Sequence, residues 1–198
     1  MKQEIEDRFA LNIARVKNLV TIYQSQRTRV GKGRRGHQET DVLRAAVVLL
    51  HASVEDVLRS LAYWKLPMAA VQVLDQIPFA GGTALKITLG TLSAQRGKTV
   101  DTVIKESVDA SLERSNYNNT VEVCSLLQSI NISVLPVQMY LTPLENAMKR
   151  RHQIVHRADA NPNNAGRGNH QVASISPTIV NAWVANTELF VADILAQV

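Results

Sequence analysis

Apolar residues recur every three or four positions along most of this chain, the spacing that gathers them on one face of an α-helix. Ile5, Phe9, Ile13, Val16, Val20 and Tyr23 form one such stripe, which predicts a helix over about 3–25. Leu43, Val47, Leu50, Val54, Val57 and Leu61 form the most regular one, on a helix starting near Asp41 that belongs at the centre of the core. A last stripe, Val180, Val184, Thr187, Val191, Ile194 and Val198, follows Ser176-Pro177, a capping residue and a proline suited to a first helical turn. Period-two alternation is not a feature of these segments. The chain reads as a mostly α-helical bundle.

The middle carries weaker signals. Leu66–Ile77 reads as a short helix with Pro67 in its first turn, Pro78–Gly82 as a turn, and 83–94 as ambiguous between helix and strand. Val100–Arg114 is amphipathic through Val100, Val103, Ile104, Val108 and Leu112, with Thr99 as its cap. A further short helix runs through Leu127, and Pro136 marks a connection. Thr142-Pro143-Leu144-Glu145 has the form of a helix start: Thr142 to cap, Pro143 at the first position and Glu145 to complete a capping box. That helix runs to about Ala158, and a polar loop covers about 159–172. Gly31, Gly33 and Gly36 among arginines mark a mobile basic loop over about 24–40. No internal repeat or long linker divides the 198 residues, so one domain, 1–198, is expected.

Composition narrows the function classes. The chain is 45% hydrophobic, which excludes wholesale disorder, yet no apolar run approaches the ~20 residues that span a bilayer. The charged amino terminus lacks an apolar signal core, and Cys124 is the one cysteine, so a cytoplasmic protein without membrane contact is expected. Basic charge is segregated. Arg8, Arg15, Lys17, Arg27, Arg29, Lys32, Arg34 and Arg35 occur with no acidic residue between Arg8 and Gln38. Residues 39–145 are net acidic. Lys149, Arg150, Arg151, Arg157 and Arg167 then face only Asp159. Two basic segments flanking an acidic middle point towards a polyanion such as nucleic acid, although solvated basic faces give the same pattern.

One residue breaks a stripe. On the helix from Thr142 the apolar positions run Leu144, Met148, Arg151 and Val155. An arginine there needs a carboxylate, a partner or a ligand phosphate, unless its stem packs while its guanidinium snorkels to water. His152 and His156 stand i, i+4 beside it, and His51 and Glu55 repeat that spacing at the edge of the core helix. Polar groups at the margins of two buried seams form either a satisfied network or a site.

Arg151-His152-Gln153-Ile154-Val155-His156 resembles the R-[N/H/D]-x3-H signature of the HEPN superfamily of α-helical ribonucleases. The run from Leu43 to Arg59 resembles the long core helix of that superfamily, closest to its RiboL-PSP group. The resemblance covers about residues 41–62 and 142–196. It implies an antiparallel HEPN-type bundle with additional helices inserted in the middle of the chain. It further implies metal-independent RNA cleavage, without a cofactor, at a cleft between the two protomers of a homodimer. Carried onto this sequence, Arg151 and His156 match the catalytic pair, with His152 and Glu55 in support. Toxin–antitoxin, stress or phage-defence settings go with the family, and with them an antitoxin or defence-system partner. Some HEPN toxins carry a tyrosine two residues past the motif histidine, a target of silencing by nucleotide transfer; here Ala158 occupies that place.

The residue types suit the chemistry. RNA brings its own nucleophile, the 2′-hydroxyl, so the protein must move protons and stabilise charge. Histidine titrates near neutrality and serves as base or acid. The guanidinium of Arg151 matches two phosphate oxygens. Lys149, Arg150, Arg157, Arg34 and Arg35 are the candidate contacts to the RNA backbone. Five residues along a helix rotate a side chain by roughly 140° and advance it ~7.5 Å, so Arg151 and His156 diverge on one chain; two antiparallel copies bring them together. Two other readings stand beside this one. His152, His156, His51 and Glu55 supply ligand types for a metal, which leaves Arg151 unexplained. The alternative is a non-catalytic HEPN module that binds RNA or a nucleotide and partners another protein, a reading that the intact Arg151 and His156 weigh against.

Overall fold

The computed structural model describes residues 1–30, 37–82, 87–160 and 172–198, with eight α-helices and no strand among them. The long helices are α1 (Lys2–Val30), α2 (His37–Lys65), α7 (Gln138–Arg157) and α8 (Pro177–Leu195). Between them lie α3 (Val71–Leu74), α4 (Leu89–Ser93), α5 (Val100–Leu112) and α6 (Thr120–Ser129). Short 3-10 turns occupy Leu66–Met68, Phe79–Gly81 and Leu135–Val137. The all-α expectation holds.

Helix α2 is the axis of the bundle. Its stripe residues Leu43, Val47, Leu50, Val54, Val57 and Leu61 are each at most 2% exposed, and it packs on α1, α7 and α8. The stripe of α1, from Ile5 to Tyr23, is buried against it. Arg8, early in α1, pairs with Asp56 late in α2, as expected for antiparallel neighbours. Lys2 reaches the Val198 carbonyl while Lys17 pairs with Glu188, so α8 runs antiparallel to α1. Asn186 donates to the Tyr140 carbonyl and Arg150 to that of Ser174, which sets α7 antiparallel to α8. Burial of this order makes each large apolar side chain worth about 1.5–3 kcal/mol relative to exposure.

Several boundaries differ from the sequence expectations. The basic segment over 24–40 is helical through Val30 and again from His37. Residues 24–29 hold no glycine or proline, and glutamine and arginine favour helix, so the first breaker is Gly31. Residues 31–36, which include Arg34 and Arg35, lie outside the described residues. The Leu66–Ile77 segment is not one helix but a 3-10 turn followed by the single turn of α3.

Helix α7 starts at Gln138, not Thr142, so Pro143 stands inside it. The 3-10 turn Leu135–Val137 leads directly into the helix, and Glu145 serves a different helix: its Oε2 accepts from both the N–H and the hydroxyl of Thr120, each at 2.9 Å. Proline deprives a carbonyl one turn earlier of its donor. Asn186 Nδ2, 3.0 Å from the Tyr140 oxygen, supplies an external donor at this turn.

The polar loop over 159–172 is also revised at its ends. Asp159 has no exposed surface, and Ala160 and Val172 form an isolated antiparallel bridge; residues 161–171 lie outside the described residues. Caps behave as expected where side chains are local. Thr99 accepts from the Thr102 N–H and Ser176 from that of Ile179, starting α5 and α8.

Candidate functional site

Arg151 lies where α7 crosses α2, half-buried on the seam that continues Leu144 and Met148. Its neighbour in the pattern, Val155, is 48% exposed, so the apolar seam ends through Ile154 instead. Among the described residues no carboxylate comes within ion-pair distance of Arg151. Its Nη1 makes a long contact, 3.4 Å, to Asn118 Oδ1, and its Nε is buried without a hydrogen-bond partner. Such a group costs on the order of 1–3 kcal/mol against a satisfied one. The guanidinium is therefore not spent on an internal salt bridge.

Across from it, His51 on α2 is 4% exposed, and its Nε2 is buried without a hydrogen bond. The nearest carboxylate oxygen, Glu55 Oε2, is 3.8 Å away. Burial pushes the imidazole below its ordinary value; Glu55 opposes this and Arg151 adds to it. His51 thus lies within electrostatic reach of the arginine, and both its burial and that charge favour the uncharged imidazole. Tyr117, ahead of α6, is buried beside Glu55, and desolvation pushes its hydroxyl up to about 12. Asn119 caps α6 on the Glu122 N–H at 2.9 Å, while the Glu122 carboxylate reaches back to the Asn118 N–H. This cap fixes the turn that presents Asn118 to Arg151. Arg151, His51, Glu55, Tyr117 and Asn118 are thus linked pairwise, by contact or by electrostatic interaction, between α2, α7 and the turn before α6.

The motif histidines stand apart from that lining. His152 and His156 are both exposed, with ring centroids 4.5 Å apart at 44°. Neither imidazole ring has a hydrogen-bond partner among the described residues. Lys149 is exposed and 3.3 Å from Glu145, and Arg157 is exposed at the end of α7. The described His, Cys, Asp and Glu side chains form no group of three suited to a metal ion.

Arg150, expected to contact RNA, is committed inside the protein. Its Nη2 lies 2.7 Å from Asp159 Oδ2 and donates to the carbonyls of Ala173 and Ser174. Arg44 of α2 reaches the same carboxylate oxygen at 2.7 Å and the same Ala173 carbonyl at 2.9 Å. Sequence reasoning missed Arg44 and Asp159. A signal existed: Arg44, His51, Glu55 and Arg59 step by seven, four and four, a polar seam along one edge of the core helix. Arg59 donates to the carbonyls of Leu112 and Ser115, closing the end of α5.

The knot around Asp159 bears on the site because it ends α7. Ala158 and Asp159 both take left-handed conformations, φ 47° and 57°, and the Asp159 N–H returns to the Gln153 carbonyl. The chain just past the last turn of α7, which carries the exposed His156 and Arg157, is thereby tied to Arg44 of α2.

No protein-family model, curated protein or solved structure matches the chain.

Proposed function

We propose that this chain is a metal-independent endoribonuclease of the HEPN type, working as a homodimer in the cytoplasm in a toxin, stress or phage-defence setting. The observation that carries the reading is the state of Arg151. It is half-buried on an apolar seam, free of any carboxylate partner among the described residues, and within electrostatic reach of His51, whose imidazole burial pushes below its ordinary value. A phosphate supplies what such a guanidinium lacks.

In this mechanism His156 accepts the proton of a 2′-hydroxyl as its oxygen attacks the adjacent phosphorus. Arg151 stabilises the charge that builds on the phosphoryl oxygens. The bond from phosphorus to the 5′-oxygen breaks, and that oxygen takes up a proton from water, which leaves a 2′,3′-cyclic phosphate and a 5′-hydroxyl. Exposed Lys149 and Arg157 suit backbone contacts. Arg151 and His156 diverge along α7, so a second protomer brings the complementary residue.

A binding module without chemistry is the second reading. It is favoured by His156 itself, whose ring leans on His152 with no hydrogen-bond partner to orient it among the described residues. Incubation of purified protein with total RNA in chelator separates the two. Cleavage that disappears in both Arg151→Ala and His156→Ala, with unfolding midpoints retained, supports the enzyme. RNA binding that needs Arg151, with no cleavage by the wild type, supports the module.

A further inference from the structure

The segment between α2 and α7 holds a cavity of about 560 Å³ that the proposed RNA site does not use. It exists because α3 and α4 are only four and five residues long and cannot cover the face of α5 that looks towards them. Leu74, Ile77, Phe79, Leu92, Val103 and Ile104 line it, and none of these is fully buried. The frame is fixed. Ser107 Oγ accepts from the Ala80 N–H and donates to the Val103 carbonyl, both at 2.8 Å, which pins the Phe79–Gly81 turn to α5. Ala80 is held there with φ 49°, a left-handed conformation that costs an alanine about 1–2 kcal/mol.

The mouth is polar and mostly basic. Arg96 and Lys98 flank Gly97, whose φ of 82° turns the chain between α4 and α5, and Asp75 stands as the acidic wall residue. Lys98 is held by Glu106 at 2.6 Å. The Arg96 guanidinium has no hydrogen bond or ion pair among the described residues. Volume, apolar walls and, among the described residues, one uncommitted cation at the rim are the attributes of a small-molecule site with a charged head position.

We propose that this cavity binds an amphipathic anion: a small molecule with an aliphatic or aromatic body and a single carboxylate or sulfonate head. The body lies along Ile104 and Leu92, and the head meets Arg96. The proposal is independent of RNA cleavage, and its test does not use RNA.

The probe is anilinonaphthalene sulfonate, whose fluorescence rises on entering an apolar site. Saturable binding to the wild type is expected, with displacement by decanoate about fivefold more effective than by decyltrimethylammonium, the ratio of one partly screened ion pair. Arg96→Glu should reverse that order. Ile104→Trp fills the cavity and should abolish binding. Leu92→Asp, at a half-exposed position, should weaken it as well with the unfolding midpoint retained. The proposal is overturned by absence of saturable binding to the folded wild type. It is equally overturned by equal displacement with the two head groups, or by unchanged binding in both Ile104→Trp and Leu92→Asp.

Discussion

Arg44 Nε lies 2.7 Å from Asp159 Oδ2, joining the first turns of the core helix to a carboxylate that has no exposed surface. Arg150 shares the same oxygen, so one buried anion serves two guanidinium groups. Removing it leaves two adjacent cations, of which Arg150 has no other carboxylate among the described residues and Arg44 keeps only the exposed Asp41 at 3.1 Å. Asp159→Ala should cost about 3–5 kcal/mol in urea unfolding. A loss below about 1 kcal/mol would mean that the α2–α7 junction is held by packing alone.

Stability should depend on pH through His51. Burial, reinforced by Arg151 and opposed by Glu55, lowers its folded value, so the unfolded chain binds this proton first as pH falls. The contribution is complete above the ordinary histidine value of about 6.5 and is lost as pH drops from there towards the folded value. Urea midpoints measured between about pH 7.5 and 5 should fall with pH in the wild type. The slope should flatten in His51→Leu.

Glu145 titrates lower. The Thr120 N–H is the main cause holding its carboxyl below the ordinary range, helped by the Thr120 hydroxyl and Lys149 against partial desolvation. Its contribution is present above the ordinary carboxylate range and disappears as pH falls through the folded value. Glu145→Ala should cost about 1–3 kcal/mol at neutral pH and nothing further in strong acid, checked by thermal unfolding at both.

Arg151 should trade stability for function. Its Nε is buried without a partner, so Arg151→Met, which keeps the packed stem and drops the charge, should leave stability unchanged or raise it by up to about 1 kcal/mol. The same change should abolish RNA cleavage. Strong destabilisation would instead mark Arg151 as a structural residue.

Divergence of Arg151 and His156 along α7 makes the dimer testable by mixing. Arg151→Ala and His156→Ala proteins, each inactive alone, should regain part of the activity after co-refolding, because mixed dimers carry one intact Arg–His pair across the interface. Activity of the wild type that stays constant per chain at high dilution, where it sediments as a monomer, would remove the second protomer from the mechanism.

Periodicity made the long helices legible, since Leu43 to Leu61 and Ile5 to Tyr23 are buried at the expected spacing. Local caps were legible for the same reason: Thr99 and Ser176 act within three residues. Thr142-Pro143-Leu144-Glu145 misled because a capping box is a local pattern, whereas Glu145 bonds Thr120 from another helix. Arg150 looked like a surface cation for a related reason; its partner Asp159 sits in a sequence of loop character, and Arg44 joins them from 115 residues away. Arg151 stood out in the sequence because it interrupts an apolar stripe. Its approach to His51 follows from how α7 crosses α2, which no stripe encodes.

The identity of the new ends on cleaved RNA tests the central claim most directly. Wild-type protein incubated with RNA in excess chelator should produce 2′,3′-cyclic phosphate and 5′-hydroxyl ends, and His156→Ala should produce none. Ends bearing a 5′-phosphate, or cleavage that persists in His156→Ala, would contradict attack by the RNA's own hydroxyl under the control of His156.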